Sequence, residues 1–258
     1  MKIAIAGATG RMGRTLIEAV LADPSFTLAA AFDMPASNAI GTTLGGIPVG
    51  ADVRHAVSAA DLLIDFTQPA GTLAHLEACV RAGKSMVIGT TGFSPDQLAR
   101  IAEAARRIPI AMSPNFAVGV NVVFRLTEIA ARALGDAYDV EILEAHHRHK
   151  VDAPSGTALE LGRIVAAALG RDFDQVASHG RQGDVGARPA KQIGLHAVRG
   201  GDIVGEHTVL FAGSGERVEI AVRSQSRMTY AAGALRAARF LHGKASGLYD
   251  MQDVLGWK

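Results

Sequence analysis

The sequence predicts an α/β fold: a parallel sheet with helices on both faces, joined to a second region of mixed helices and strands. Three observations carry this. Short apolar runs alternate with helical periodicity over residues 1 to about 117. A glycine-rich turn joins the first run to the first helix. After that the alternation stops, and a long helix is followed by strand-like runs punctuated by glycines.

Taken in order, residues 2–6 form the first apolar run and end at Gly7. Residues 10–22 read as a helix with Met12, Leu16, Val20 and Leu21 on its apolar side. Residues 27–32 are a second run, ending at Asp33. Residues 62–66, 85–88 and 108–112 are further strands, separated by helices at 70–82 and 95–107. Residues 118–134 then read as a long helix, 138–145 as a strand and 155–169 as a helix. Residues 171–190 are polar and rich in Gly and Arg, so a mobile loop is expected, with 180–189 a candidate lid. Residues 192–198, 206–211 and 217–222 read as an antiparallel meander, and 230–241 as a last helix.

A chain of 258 residues, 48% hydrophobic, holds one large domain or two modest ones with a sizeable core. The formal net charge of +1 gives no bulk attraction to nucleic acid or an anionic membrane. Cys79 is the single cysteine, so no intrachain disulfide forms, which fits a reducing compartment. No basic leader precedes MKIAIAG, and no run approaches the roughly 18 apolar residues of a membrane span. The expectation is a soluble cytoplasmic protein without nucleic-acid or membrane partners.

Gly7, Ala8, Thr9, Gly10, Arg11, Met12 and Gly13 sit at the first strand–helix turn. Glycines there let the backbone approach a pyrophosphate, and a helix start offers free N–H groups. The spacing is GxxGxxG rather than GxGxxG, but a strand precedes it and a helix follows. Asp33 ends the second strand, where an acid meets the adenosine ribose hydroxyls of a Rossmann-like site. Gly89-Thr90-Thr91-Gly92 and Ser113-Pro114-Asn115-Phe116 follow two later strands, at the edge where open parallel sheets bind ligands. The competing readings are a glycine turn that only packs helix on strand, and loops of ordinary turn residues.

The segment 144–157, EAHHRHKVDAPSGT, concentrates His146, His147 and His149, three of nine histidines. A metal site, with Glu144 or Asp152 adding to the imidazoles, is opposed by the fixed charges of Arg148 and Lys150, and no HExxH spacing is present. An anion site fits better. Ser155 is a helix N-cap candidate, and Gly156 and Thr157 would offer N–H groups to a carboxylate. A solvated basic loop remains the third reading. His146 and Lys150 are the residue types that protonate or polarise an imine as hydride arrives.

This segment resembles the signature of the dihydrodipicolinate reductase (4-hydroxy-tetrahydrodipicolinate reductase) family of lysine and diaminopimelate biosynthesis. GATGRMGR, DFTQP at 65–69, GTTGF at 89–93, SPNFAVG at 113–119 and RGGDIVGEHTV at 199–209 resemble further family blocks, in order. The resemblance implies hydride transfer from NADH or NADPH to a cyclic imine dicarboxylate, with loss of water. It implies His146 and Lys150 as catalytic residues, and His147, Gly156 and Thr157 as substrate-binding. It implies Gly7 to Met12, Asp33, Gly89, Thr90, Thr91, Ser113, Pro114, Asn115 and Phe116 as cofactor-binding, and no metal. It also implies a dinucleotide-binding domain of residues 1–117 and 228–258. Residues 118–227 then form an α+β substrate-binding and oligomerisation domain whose open mixed sheet builds a homotetramer.

Relatives that accept NADPH well often carry Arg after the acidic residue; here it is Met34. NADH is therefore the expected preference, with Arg11 able to neutralise a 2′-phosphate. Three other classes remain. A short-chain dehydrogenase should show Tyr-x-x-x-Lys, and Tyr138, Tyr230 and Tyr249 all lack that Lys. A metal-dependent hydrolase would lose activity to a chelator. A nucleotide sensor would bind NADH without turnover.

Overall fold

The computed structural model describes residues 1–258. The chain divides into two compact units, Met1–Val118 with Arg227–Lys258, and Gly119–Ser226. Strand β1 (Lys2–Ala6) leads into α1 (Arg11–Ala22) and β2 (Thr27–Phe32). Next come β3 (Thr43–Leu44), β4 (Ile47–Gly50), α2 (Val53–Ala59), β5 (Leu62–Asp65), α3 (Pro69–Ala82), β6 (Ser85–Ile88), α4 (Pro95–Ala105) and β7 (Pro109–Met112). The second unit carries α5 (Val118–Leu134, its first residue in the first unit), β8 (Asp139–His146), α6 (Gly156–Ala168), α7 (Phe173–Val176) and β9 (Ala177–His179). It continues through β10 (Ile193–Arg199), β11 (Gly205–Ala212) and β12 (Arg217–Ser224). The chain then returns to the first unit with α8 (Met228–Leu241), β13 (Gly247–Tyr249) and α9 (Met251–Val254).

The first unit's sheet runs β13-β7-β6-β5-β1-β2-β4-β3, parallel except for β3 against β4. Alternate residues of β1 point to opposite faces. Ile3 and Ile5 pack with Leu16, Val20, Ala234 and Leu235 of α1 and α8. Ala4 and Ala6 pack with Val57, Leu73, Leu76 and Ile101 on the other side. Both faces are covered, so the strands are apolar throughout. The α4 start follows from sequence: Ser94 and Gln97 close a capping box around Pro95. Glycine at Gly233 lets α8 lie on the chain at Phe116, since a Cβ there would stand 1.7 Å from the Phe116 carbonyl oxygen. From β1 the chain moves to β2 on one side and later to β5 on the other, so β1 marks a topological switch point.

The second unit's sheet runs β12-β11-β8-β10-β9. The expected meander is corrected here. Strand β8 separates β10 from β11, and β10 is parallel to β8. The reason is burial: Val140 and Ile142 of β8 need apolar neighbours on both sides, which Ile193, Leu195, Val209 and Phe211 supply. The link from β10 to β11 crosses the end of β8, where Gly200 N–H donates to the His146 carbonyl at 2.9 Å. Positive φ at Gly201 allows the bend.

The expected loop at 171–190 holds α7 and β9, and its later part is clamped to the sheet. Arg181 and Arg188 both donate to Glu141, at 2.8 Å each, and Arg188 to Asp139 at 2.6 Å. Asp139 and Glu141 alternate with Val140, Ile142 and His146, so this clamp lies on the face opposite His146. The segment 180–189 is therefore a clamp here rather than a lid over His146. No helix is long and apolar enough to cross a membrane.

Candidate active site

The carboxyl ends of β1, β2, β5, β6 and β7 share one edge of the first sheet. At the β1 end, Gly7 has φ 62°, and a Cβ at Gly13 would stand 2.1 Å from the Gly7 carbonyl oxygen. That cradle is too tight for any side chain, and N-cap Gly10 makes no side-chain cap bond. The first N–H groups of α1 have no intrahelical partner and suit an anion. Asp33 closes the mouth of the turn. It accepts from Thr9 N–H at 3.1 Å, from the Thr9 hydroxyl, and from Met34 N–H at 2.8 Å. Burial pushes its carboxyl up, but these bonds outweigh burial and hold it below the ordinary range. Arg11, at the start of α1, and Met34, next to Asp33 in the chain, are both exposed. The donors and the acid fit a dinucleotide.

The two later loops are less open. A Cβ at Gly89 would fall 2.1 Å from the Phe66 ring. Thr91 is exposed, but Thr90 is turned inward to Thr72 at 2.8 Å and Asp65 at 3.4 Å. Ser113 donates to the Asn115 carbonyl at 3.0 Å, and Asn115 Oδ1 accepts from Ala117 N–H at 2.8 Å. Pro114 is exposed, whereas Phe116 is core. These loops offer mainly backbone and the rims at Thr91 and Pro114. Beneath them lies a hub the sequence reading leaves out. Asp65, fully buried, takes Thr67 at 2.6 Å, Thr72 at 3.2 Å and His75 at 2.6 Å.

In the second unit, β8 ends at His146 and the chain returns into α6 through Ser155. Ser155 caps α6, accepting from Ala158 N–H at 3.2 Å. A Cβ on Gly156 would meet nothing within 4 Å, so the helix start is open to approach. Thr157 follows on that first turn. His146 Nδ1 lies 2.6 Å from Glu144 Oε2, leaving Nε2 for a ligand. Burial pushes the His146 imidazole down, partly opposed by Glu144. Lys150 Nζ pairs with Asp152 at 2.9 Å. His147 Nδ1 is buried without a hydrogen-bond partner. The sequence alone offers Glu144 only as a metal-ligand candidate and leaves out Arg199 and His207. Alternation along β8 is the signal that puts Glu144 and His146 on one face. No group of three or more His, Cys, Asp or Glu is arranged to hold a metal ion.

Two family models match the chain, "Dihydrodipicolinate reductase, N-terminus" over residues 1–116 and "Dihydrodipicolinate reductase, C-terminus" over residues 119–255. A 4-hydroxy-tetrahydrodipicolinate reductase of Aromatoleum aromaticum is 60% identical, covering 99% of this chain and 95% of its own. One of Cupriavidus metallidurans is 57% identical over the whole of both chains. Among solved structures, a dipicolinate-bound dihydrodipicolinate reductase from Paenisporosarcina sp. TG-14 superposes with a TM-score of 0.78 at 25% identity, covering 97% of each chain. A scyllo-inositol dehydrogenase from Lactobacillus casei shares the fold, with a TM-score of 0.60 at 14% identity over 99% of this chain and 93% of its own. This chain therefore belongs to the dihydrodipicolinate reductase family of oxidoreductases.

Proposed function

We propose that this enzyme reduces 4-hydroxy-tetrahydrodipicolinate to tetrahydrodipicolinate and water with NADH or NADPH, NADH preferred, in lysine biosynthesis by the diaminopimelate route. The observation that carries the reading is the pairing of His146 and Lys150 with the open, Ser155-capped start of α6 in one unit. A base, an acid and a carboxylate cradle are the groups a cyclic imine dicarboxylate requires. Gly7, Ala8, Thr9, Gly10, Arg11 and Met12 would hold the pyrophosphate and Asp33 the ribose hydroxyls. Gly89, Thr90, Thr91, Ser113, Pro114, Asn115 and Phe116 would line the nicotinamide end, the buried ones through backbone. When bound, the dinucleotide supplies the hydride. With the 4-hydroxyl lost as water the ring is a conjugated imine, and Lys150 Nζ gives a proton to its nitrogen as negative charge develops there; the resulting enamine tautomerises to the product imine. His146 Nε2 holds a hydrogen bond to the substrate. Gly156, Thr157 and His147 hold its carboxylates, with no metal in the reaction.

Residues 1–117 with 228–258 then act as the dinucleotide-binding domain and 118–227 as the substrate and oligomerisation domain. The uncovered face of the second sheet joins copies into a homotetramer in the cytoplasm, with no nucleic-acid or membrane partner. The test is NADH oxidation coupled to enzymatically generated substrate; absence of turnover sinks the reading. In the same assay kcat/KM should be higher with NADH, because Asp33 repels a 2′-phosphate and Met34 offers no charge to offset it. A clear NADPH preference refutes the cofactor assignment.

A further inference from the structure

We propose that Glu144 is the positioning residue of this site, fixing the tautomer of His146 and, with the same carboxylate, the start of α6. This deepens the reading above and rests on His146 meeting the substrate.

Glu144 is 2% exposed, and both its oxygens are engaged. Oε2 takes His146 Nδ1 at 2.6 Å and an Arg199 N–H at 2.8 Å. Oε1 takes Ser155 N–H at 3.0 Å and the other Arg199 nitrogen at 2.7 Å. A buried carboxylate without compensation would be protonated. Burial pushes Glu144 up, but Arg199 and His146 outweigh burial and hold it below the ordinary range. An ionised carboxylate only accepts, so His146 Nδ1 must be the donor. The neutral ring then carries its lone pair at Nε2.

The groups around His146 support this arrangement. On its own strand it meets Glu144. From β10, Arg199 sits opposite it in register. From β11, His207 packs edge-on at 5.2 Å. Burial pushes His207 down to about 4, so it adds no charge near neutrality. Its Nε2 pairs with the Ser155 hydroxyl at 2.9 Å. The charge of Lys150, from the following loop, also reaches His146. Arg199 donates to the Asp152 carbonyl at 2.7 Å, and Asp152 holds Lys150. One carboxylate–guanidinium pair thus ties the imidazole, the lysine loop and the helix start.

The test is imidazole nitrogen NMR on the full-length enzyme, with the His146 signal identified by its loss in His146→Gln. Wild type should show Nδ1–H and bare Nε2; wild type found with Nε2–H overturns the proposal, whether or not any variant folds. Glu144→Gln offers an amide N–H to Nδ1 and should shift the ring toward Nε2–H. Its kcat should fall on the order of 10²-fold or more, as for wrong-tautomer substitutions in catalytic triads. The acid limb of kcat/KM should move to lower pH, because the Glu144 charge helps hold the His146 proton. NADH affinity should be unchanged. Glu144→Gln with His146→Gln should lose little more than either alone. A lowered Tm with wild-type tautomer and acid limb overturns the proposal. The NMR reading needs no substrate, so its failure is separable from failure of the reductase reading, which would show as a wild-type enzyme without turnover.

Discussion

At the residue scale, the chemistry divides between groups that face a ligand and groups that hold them. Lys150 pairs with Asp152, and its side chain, though mostly covered, stays 20% exposed. Lys150→Ala should lower kcat about 10²–10⁴-fold while NADH affinity, measured by fluorescence titration, survives. Lost NADH affinity with an intact rate would reassign the residue. His207 is the opposite case. It is 4% exposed and held neutral by burial, at about 4 against an unfolded value near 6.5. Between those values the unfolded chain binds more protons than the native one. The stability contribution is therefore fully present above about 6.5 and is lost as pH falls toward 4, up to about 3 kcal/mol by linkage. Tm measured against pH should show this slope in the wild type and a shallower one in His207→Gln.

At the element scale, the fold uses glycine where two pieces of chain meet. Gly13 brings α1 onto the β1 turn, and Gly233 brings α8 onto Phe116. Gly194 of β10 leaves room for the Glu141 side chain, which a Cβ there would meet at 1.7 Å. Glu141, pulled down to about 2, is buried enough to be pushed up, but Arg181, Arg188 and His196 outweigh burial. This one carboxylate clamps the 180–192 segment to the sheet. Glu141→Gln should raise trypsin cleavage after Arg181 several-fold without changing strand content by circular dichroism. Unchanged cleavage would mean that Asp139 and the backbone carbonyls suffice.

At the scale of the whole molecule, the second sheet covers one face and leaves apolar surface on the other. Leu143 is 43% and Val198 55% exposed on adjacent strands, flanked by the Glu141 cluster. Exposed apolar side chains on adjacent strands of a sheet face are where a second copy would pack. This supports the homotetramer proposed above. Leu143→Arg should reduce the mass measured by light scattering below that of the tetramer, while Tm of the first unit is retained. A wild-type monomer would remove the assembly from the account.

The alternation of short apolar runs and helical periodicity determined the parallel sheet of the first unit, because strands buried on both faces leave a sequence pattern independent of their partners. The glycine turn, Asp33 and the segment 144–157 were equally legible, since their chemistry is local. The short β3–β4 hairpin, α2, β13 and α9 were missed because four or fewer apolar positions give no periodicity to read. Strand order was out of reach too: nothing in residues 192–222 says that β8 lies between β10 and β11, a choice made by the burial of Val140 and Ile142. The same choice brought Arg199 and His207 to Glu144. Those residues lie 55 and 63 positions away in the chain, and only the register of three strands makes them neighbours of one carboxylate.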